Sequence, residues 1–578
     1  MPPLRALACF ALLAIPSSPA RSDETADNSA IVDLYKSGKM FDKAQYKAVR
    51  SAFAELFQRR HADEIHKAFG DDHQALTDWL KEQTELRDEL YTALDERFDK
   101  LGNALRIFHD LWKESPKHVQ QFPELAIATA TVWDDNHSVY DHRGHQVRTK
   151  SNAVANLAGA RDNFKYLAEG PPAVQERARL LPREFLAYLV DHLTPLGERK
   201  WALEHYGPQK PMIGRSFSEI TYDKDMFKGK TAQLAGHDYT LENIRRYGGV
   251  CAMQADYAAR VAKSSAIPAA YVHGPSDSLG MHAWVMWVEL KQVRKDSIVF
   301  TLESHGRYDN DHYYTGRLTD PETGEKILDR DMERRLSVAG RDRIGKRQAD
   351  LAMRAYPELS EKLGLDSAAR LSYLDRTLRV SSHSEWAWLE MARLAKAGEA
   401  KGPPILSHME TLLNVFAKFP DFTWKVFDDL LSAAPDESSR SRLYGKLVNL
   451  YEQAGRPDLA CEARFKLADL QVSRKLNKTA AEGLAFTIRK FPTEGRYVPK
   501  LMEKLQEVCK SYKGGTDLLG KFYLEVLPAI PRKRGDDPSA YCIKMYEQAI
   551  AFFKEDQKDK TAAALETELD RVRRGERR

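Results

Sequence analysis

A cysteine preceded by two glycines, and a histidine 31 positions further on, are the residues of this 578-residue chain whose types and spacing could make a nucleophile. Gly248, Gly249 and Val250 lead into CAMQADYAARVAKS, an alanine-rich helical pattern, so the Cys251 thiol is expected at the first turn of a helix. There it meets backbone N–H groups that no helical carbonyl satisfies and the positive end of the helix dipole, both of which favour thiolate. The glycine pair permits the close approach that such a position often requires. His282 opens HAWVMWVEL, a strand pattern, after the loop-like GPSDSLGM. An imidazole at a strand start can face a helix start and take the proton of the thiol, giving a thiolate–imidazolium pair. A lone cysteine is more often a packing residue; the elements around this one set it apart.

Those elements are the strand patterns IPAAYV (267–272), HAWVMWVEL (282–290) and SIVFTLES (297–304), which read as adjacent strands of an antiparallel sheet beside the helix. GGVCAMQADYAARVAKSSAIPAAYVHG followed by HAWV resembles the motif of the transglutaminase-like superfamily, a branch of the papain-like cysteine enzymes. The matching parts are the cysteine after small residues, Tyr257–Ala258, the turn Ile267–Pro268–Ala269 into a strand, and His282–Ala283–Trp284. The whole chain also resembles large exported bacterial proteins that carry this core between helical regions, most clearly over residues 240–320.

The resemblance implies Cys251 as nucleophile, His282 as general base and acid, and a third residue, usually Asp, that orients the imidazole. FTLESHGRYDND departs from that pattern, offering Glu303, Ser304 and His305, with Asp309 further along; Glu303 is the expected orienter on charge. The implied reaction forms a cysteine thioester with peptide-like amides. Water would complete it as a protease or amidase, an amine as an acyl transferase. The Cys251 backbone N–H is the natural first oxyanion donor, and the sequence names no second one, since Arg245 stands six residues before the cysteine. No cofactor is implied.

Around this core the chain reads as helix. The 86–112 stretch carries Leu86, Leu90, Leu94, Phe98, Leu101, Leu105, Phe108 and Trp112 at spacings of three and four, predicting one long amphipathic helix. Residues 44–60 and 174–206 are further helical patterns, 133–146 is a polar loop, and 307–326 closes the strand region as a loop. From about 335 helix dominates, with runs ending at Pro357, Pro420, Pro492 and Pro531. NVFAKFP and FTIRKFP lie 72 residues apart, and 443–470 resembles a tetratricopeptide-type unit, predicting a helical-repeat array. The expected organisation is α+β: a signal peptide at 1–20, a mainly helical region at 21–235, a transglutaminase-like core at 236–334, and an α-helical, TPR-like array at 335–578.

The first twenty residues (basic MPPLR, apolar ALACFALLAI, then SPA) predict export to the periplasm or beyond. A formal charge of +4 gives no strong pull toward nucleic acid or anionic membrane. Cys461, Cys509 and Cys542 are the other cysteines of the predicted mature chain, and export would permit disulfides among them. Asp134, Asp135, His137, Asp141, His142 and His145 are metal-ligand types without metal-ligand spacing, so no metal is expected. The partner implied is a protein or peptide substrate. The alternative is a catalytically weak or inactive transglutaminase-like scaffold whose helical arrays bind protein or peptide partners.

Overall fold

The computed structural model describes residues 29–207, 212–275, 280–294, 296–307, 313–534 and 537–576. The predicted signal peptide and Asp309 lie outside the described residues. The fold is α+β, mostly helical, with one small five-stranded antiparallel sheet and a helical array after it.

The helices that matter to the site and its support are α1 (Tyr46–Arg60), α2 (Thr84–Ala93), α3 (Leu101–Glu114), α4 (Pro123–Trp133), α5 (Arg143–Thr149), α6 (Arg183–Val190) and α7 (Cys251–Ser264). Strands β1 (Ala269–Pro275), β2 (Met281–Val293) and β3 (Ile298–His305) follow, then the short hairpin β4 (Arg317–Thr319) and β5 (Lys326–Leu328). The sheet order is β3-β2-β1-β4-β5. Next come α8 (Asp329–Arg341) and α9 (Arg343–Lys362).

Two layers clamp the sheet. Ala269 of β1 and Ala283 and Val285 of β2 pack on α7. Ala270 and Val272, with Trp284, Met286 and Val288, pack on the opposite side against the core of α2, α3, α4 and α6. Period-two alternation thus sorts the strands between two cores, and each fully buried large side chain contributes about 1.5–3 kcal/mol. Helix α7 is central: every residue from Ala252 to Ser264 is buried. Its small alanines allow that enclosure, and its buried charges are paired, Arg260 with Glu198 at 2.6 Å and Lys263 with Asp191.

The array stacks helices from Ser367–Val380 to Asp559–Arg573, mostly each against the next, with Glu385–Lys396 packed on Pro420–Leu431. Its first core also takes in Met40 and α1 residues Tyr46 and Val49, so the described N-terminus and the array share packing. Cys461, Cys509 and Cys542 are buried in a second core of the array, Cys461 and Cys509 as free thiols. No helix among the described residues is long and apolar enough to cross a membrane.

Three expectations change. The long helix over 86–112 is two helices, α2 and α3. Between them Asp99 accepts the Asp95 N–H at 2.6 Å, Asp95 accepts the Arg97 N–H, and Asp134 accepts the Lys100 N–H at 2.5 Å. Short carboxylates capture the donors that a continuous helix would need. Pro357 does not end its helical run but lies inside α9, where buried Met353, Tyr356 and Leu359 hold the helix through the break. The β4–β5 hairpin occupies part of the stretch expected as loop, with Arg317 of β4 opposite His273 of β1.

Candidate active site

Cys251 is the first residue of α7, as its glycine approach predicts. Gly248 has φ +81°, and a Cβ there would run into the Thr221 carbonyl; Gly249 N–H donates to the same carbonyl at 3.0 Å. The chain therefore presses against 221–223 just before the helix, where only glycine fits without strain. The thiol receives the N–H groups of Ala283, Ala252 and Cys251 itself, and feels the Arg148 guanidinium. Burial outweighs these and pushes the Cys251 thiol up from its ordinary value. The resident thiolate expected at a helix start is thus replaced by a thiol that must lose its proton in the reaction.

The Ala283 N–H brings the sulfur to the backbone at the rim of the sheet, but the expected facing of thiol and imidazole is not met: Ala283 points to the α7 side, and the His282 ring lies on the other face with Trp284 and Tyr313. His282 is buried, with its ring 5.0 Å from that of Tyr313 and 6.3 Å from that of Trp284, whose strand parity it shares. Its Nε2 stands 2.5 Å from the Gly306 carbonyl. A carbonyl can only accept, so Nε2 carries the proton and the lone pair of the neutral ring is on Nδ1.

Gly306 supplies what Glu303 was expected to supply. Register sets Glu303 opposite Trp287, five residues along β2 from His282; Ser304 faces Met286 and His305 faces Val285. His305 Nε2 instead meets Ser218 Oγ at 2.8 Å. Arg245 pairs with Glu219 at 3.6 Å, which leaves the second oxyanion donor unassigned. Gly306 has φ +87°, and an added Cβ would overlap the Phe217 ring. Gly306→Ala should therefore destabilise the fold by about 1–3 kcal/mol. Chemical denaturation would read this, and an unchanged midpoint would show that Phe217 does not hold the carbonyl in place.

The sequence reading passed over a polar network that supports α7 from the side of the cysteine. Asp256 accepts the Tyr140 hydroxyl at 2.9 Å and the Tyr239 hydroxyl at 3.0 Å. Burial pushes its carboxyl up, but Arg260, His145, His142 and the Tyr140 bond overcome that and leave it below its ordinary value. Since the Tyr140 proton goes to Asp256, His145 Nε2 donates to Tyr140 oxygen at 3.1 Å. The His145 ring lies 5.0 Å from that of Tyr271, a side chain close enough to Cys251 to feel its charge. His142 stacks on Tyr239 at 5.9 Å, and burial with Arg260 drives its pKa down to about 3. Tyr140, His142 and His145 have the sequence of a solvated loop, because their partner Asp256 lies more than a hundred residues away.

No family model matches this chain, and no curated protein and no solved structure matches it.

Proposed function

We propose that the protein is a transglutaminase-like thiol enzyme that transfers the acyl group of peptide-like amides through a Cys251 thioester. The observation that supports it most is the meeting of the Cys251 thiol with the His282–Ala283 peptide while His282 Nε2 is held on the Gly306 carbonyl. Held this way, the ring keeps Nδ1 as its basic atom. In the proposed reaction that ring, which rests on the sheet face away from α7, must swing to the cysteine side to take the thiol proton as sulfur attacks the amide carbon. The first-turn N–H groups of α7 lie beside the oxyanion that forms. The C–N bond then breaks, imidazolium returns its proton to the leaving amine, and the thioester remains for water or a second amine. An exported location, drawn from residues 1–20, belongs to the same proposal.

A second imidazole enters on a specific observation. His145 is oriented through Tyr140 onto Asp256 and sits against Tyr271, on the α7 side of the sheet that Ala283 faces. It is the base to test if His282 is dispensable.

The test is a panel of peptide p-nitrophenyl esters and p-nitroanilides read for a burst of leaving group. One equivalent per chain, with an acyl adduct on residue 251 by mass spectrometry, is expected. Equal adduct on Cys251→Ala protein would remove the enzyme reading and leave a scaffold whose array binds partners.

A further inference from the structure

Two arginines flank the cysteine without a carboxylate. Along the sheet, Arg317 of β4 stands directly opposite His273 of β1, and His273 directly opposite Ala283 of β2, the residue whose N–H reaches the thiol. Directly opposed residues of antiparallel strands share a face, so this row runs along the cysteine side of the sheet. On the other flank α5 lays His145 against Tyr271, and Arg148, three residues on, shares that helix face and reaches the field of Cys251. Arg148 and Arg317 are exposed, and neither side chain makes an ion pair or hydrogen bond among the described residues. The surrounding charges do not offset them. Asp256 is held by two tyrosine hydroxyls and Arg260, Asp141 is held by Arg143 at 2.6 Å, and Lys326 adds a further positive charge near His273.

We infer that Arg148 and Arg317 form an anion-capturing rim at Cys251, and that the acyl donor is an acidic peptide-like amide with a carboxylate next to the reacting bond. This rests on the thiol-enzyme reading for the word donor, but the rim itself needs only an accessible thiol. An exposed guanidinium without a partner is a ready carboxylate ligand, because its planar donors match both oxygens. Two such groups on opposite flanks raise the local concentration of an anion at the sulfur between them.

Alkylation reads this without turnover. Iodoacetate and iodoacetamide both transfer a carbon to the thiolate with loss of iodide, and differ in charge. At about pH 8.5, near the ordinary thiol pKa, the iodoacetate-to-iodoacetamide rate ratio at residue 251 is followed by peptide mass spectrometry. Buried Cys461 and Cys509 serve as internal standards after unfolding. Arg148→Gln with Arg317→Gln should lower that ratio about fivefold at low salt, and 0.5 M salt should shrink the difference, as expected for charges within roughly 10 Å. Arg148→Glu should lower it further, and Arg148→Lys should keep it. A ratio unchanged by the double substitution, or equal loss of rate toward both reagents, would overturn the rim. If the ratio falls as expected while no acyl adduct forms with any ester, the catalytic reading fails and the anion site stands.

Discussion

On the proposed thiol-enzyme reading, Cys251→Ala should abolish turnover, and His282→Ala should lower kcat/KM by roughly 10²–10⁴-fold, the range set by positioned acid–base groups. The two losses have different pH signatures. Burial holds the thiol above its ordinary value, so alkylation of resting Cys251 by iodoacetamide should rise only at higher pH than for an exposed cysteine. Turnover should rise earlier, once the imidazole is neutral, because the proton leaves the sulfur during attack rather than before it. Glu303→Gln should change kcat/KM less than twofold, since Glu303 stands opposite Trp287 and the Gly306 carbonyl meets the imidazole. His145→Ala decides between the two imidazoles. If it is the more damaging change and His282→Ala is tolerated, the base is on α5 and the Asp256–Tyr140–His145 chain takes the place assigned to Gly306 and His282.

How far the sequence carries depends on the range of the interaction being read. Strands β1, β2 and β3 and their order are legible because alternation in AAYVHG, HAWVMWVEL and SIVFTLES is local and each strand joins the next. The Cys251 helix start is legible for the same reason: two glycines and an alanine-rich run are a local signal. The orienting group is not, because a backbone carbonyl leaves no mark on residue type, and only the register of β2 on β3 brings Gly306 to His282. The break between α2 and α3 was hidden by an unbroken apolar spacing. The residues that cause it, Asp95, Asp99 and Asp134, act through backbone donors. Tyr140, His142 and His145 looked solvated because nothing near them in sequence shows that Asp256 and Arg260 will be buried beside them.

Arg347→Met should cost about 3–5 kcal/mol at neutral pH, the largest stability loss expected of any single substitution considered for this chain. Arg347 lies in α9 with its side chain only 5% exposed. It bonds Glu184 of α6 at 2.9 and 3.0 Å, Glu124 of α4 at 2.9 and 3.0 Å, and Glu89 of α2 at 2.9 Å. One guanidinium thus ties three helices of the N-terminal core to α9, the long helix that leads into the array. Methionine keeps most of the apolar stem, so the loss is chiefly that of the charge left behind on three carboxylates. Arg183, at 2.8 Å from Glu89, and Arg50 cannot compensate all three. The pH dependence separates this cause from lost packing. Burial pushes the Glu89 carboxyl up, yet Arg347, Arg183 and Arg50 hold it down at about 2, and Glu184 is likewise held well below its ordinary value. A carboxylate depressed in the folded state stabilises above its unfolded pKa, near 4.3, and loses that contribution as pH falls toward the folded one. The wild-type protein should therefore lose stability between about pH 4.5 and 2. In Arg347→Met the carboxylates take up protons at higher pH, so the gap between the two proteins should narrow as the pH falls from 7 through 4. Denaturant unfolding at pH 7, 5 and 4 measures it. A deficit that stays constant across that range would mean that the helices are joined at this point by packing, and that the ion cluster contributes nothing net.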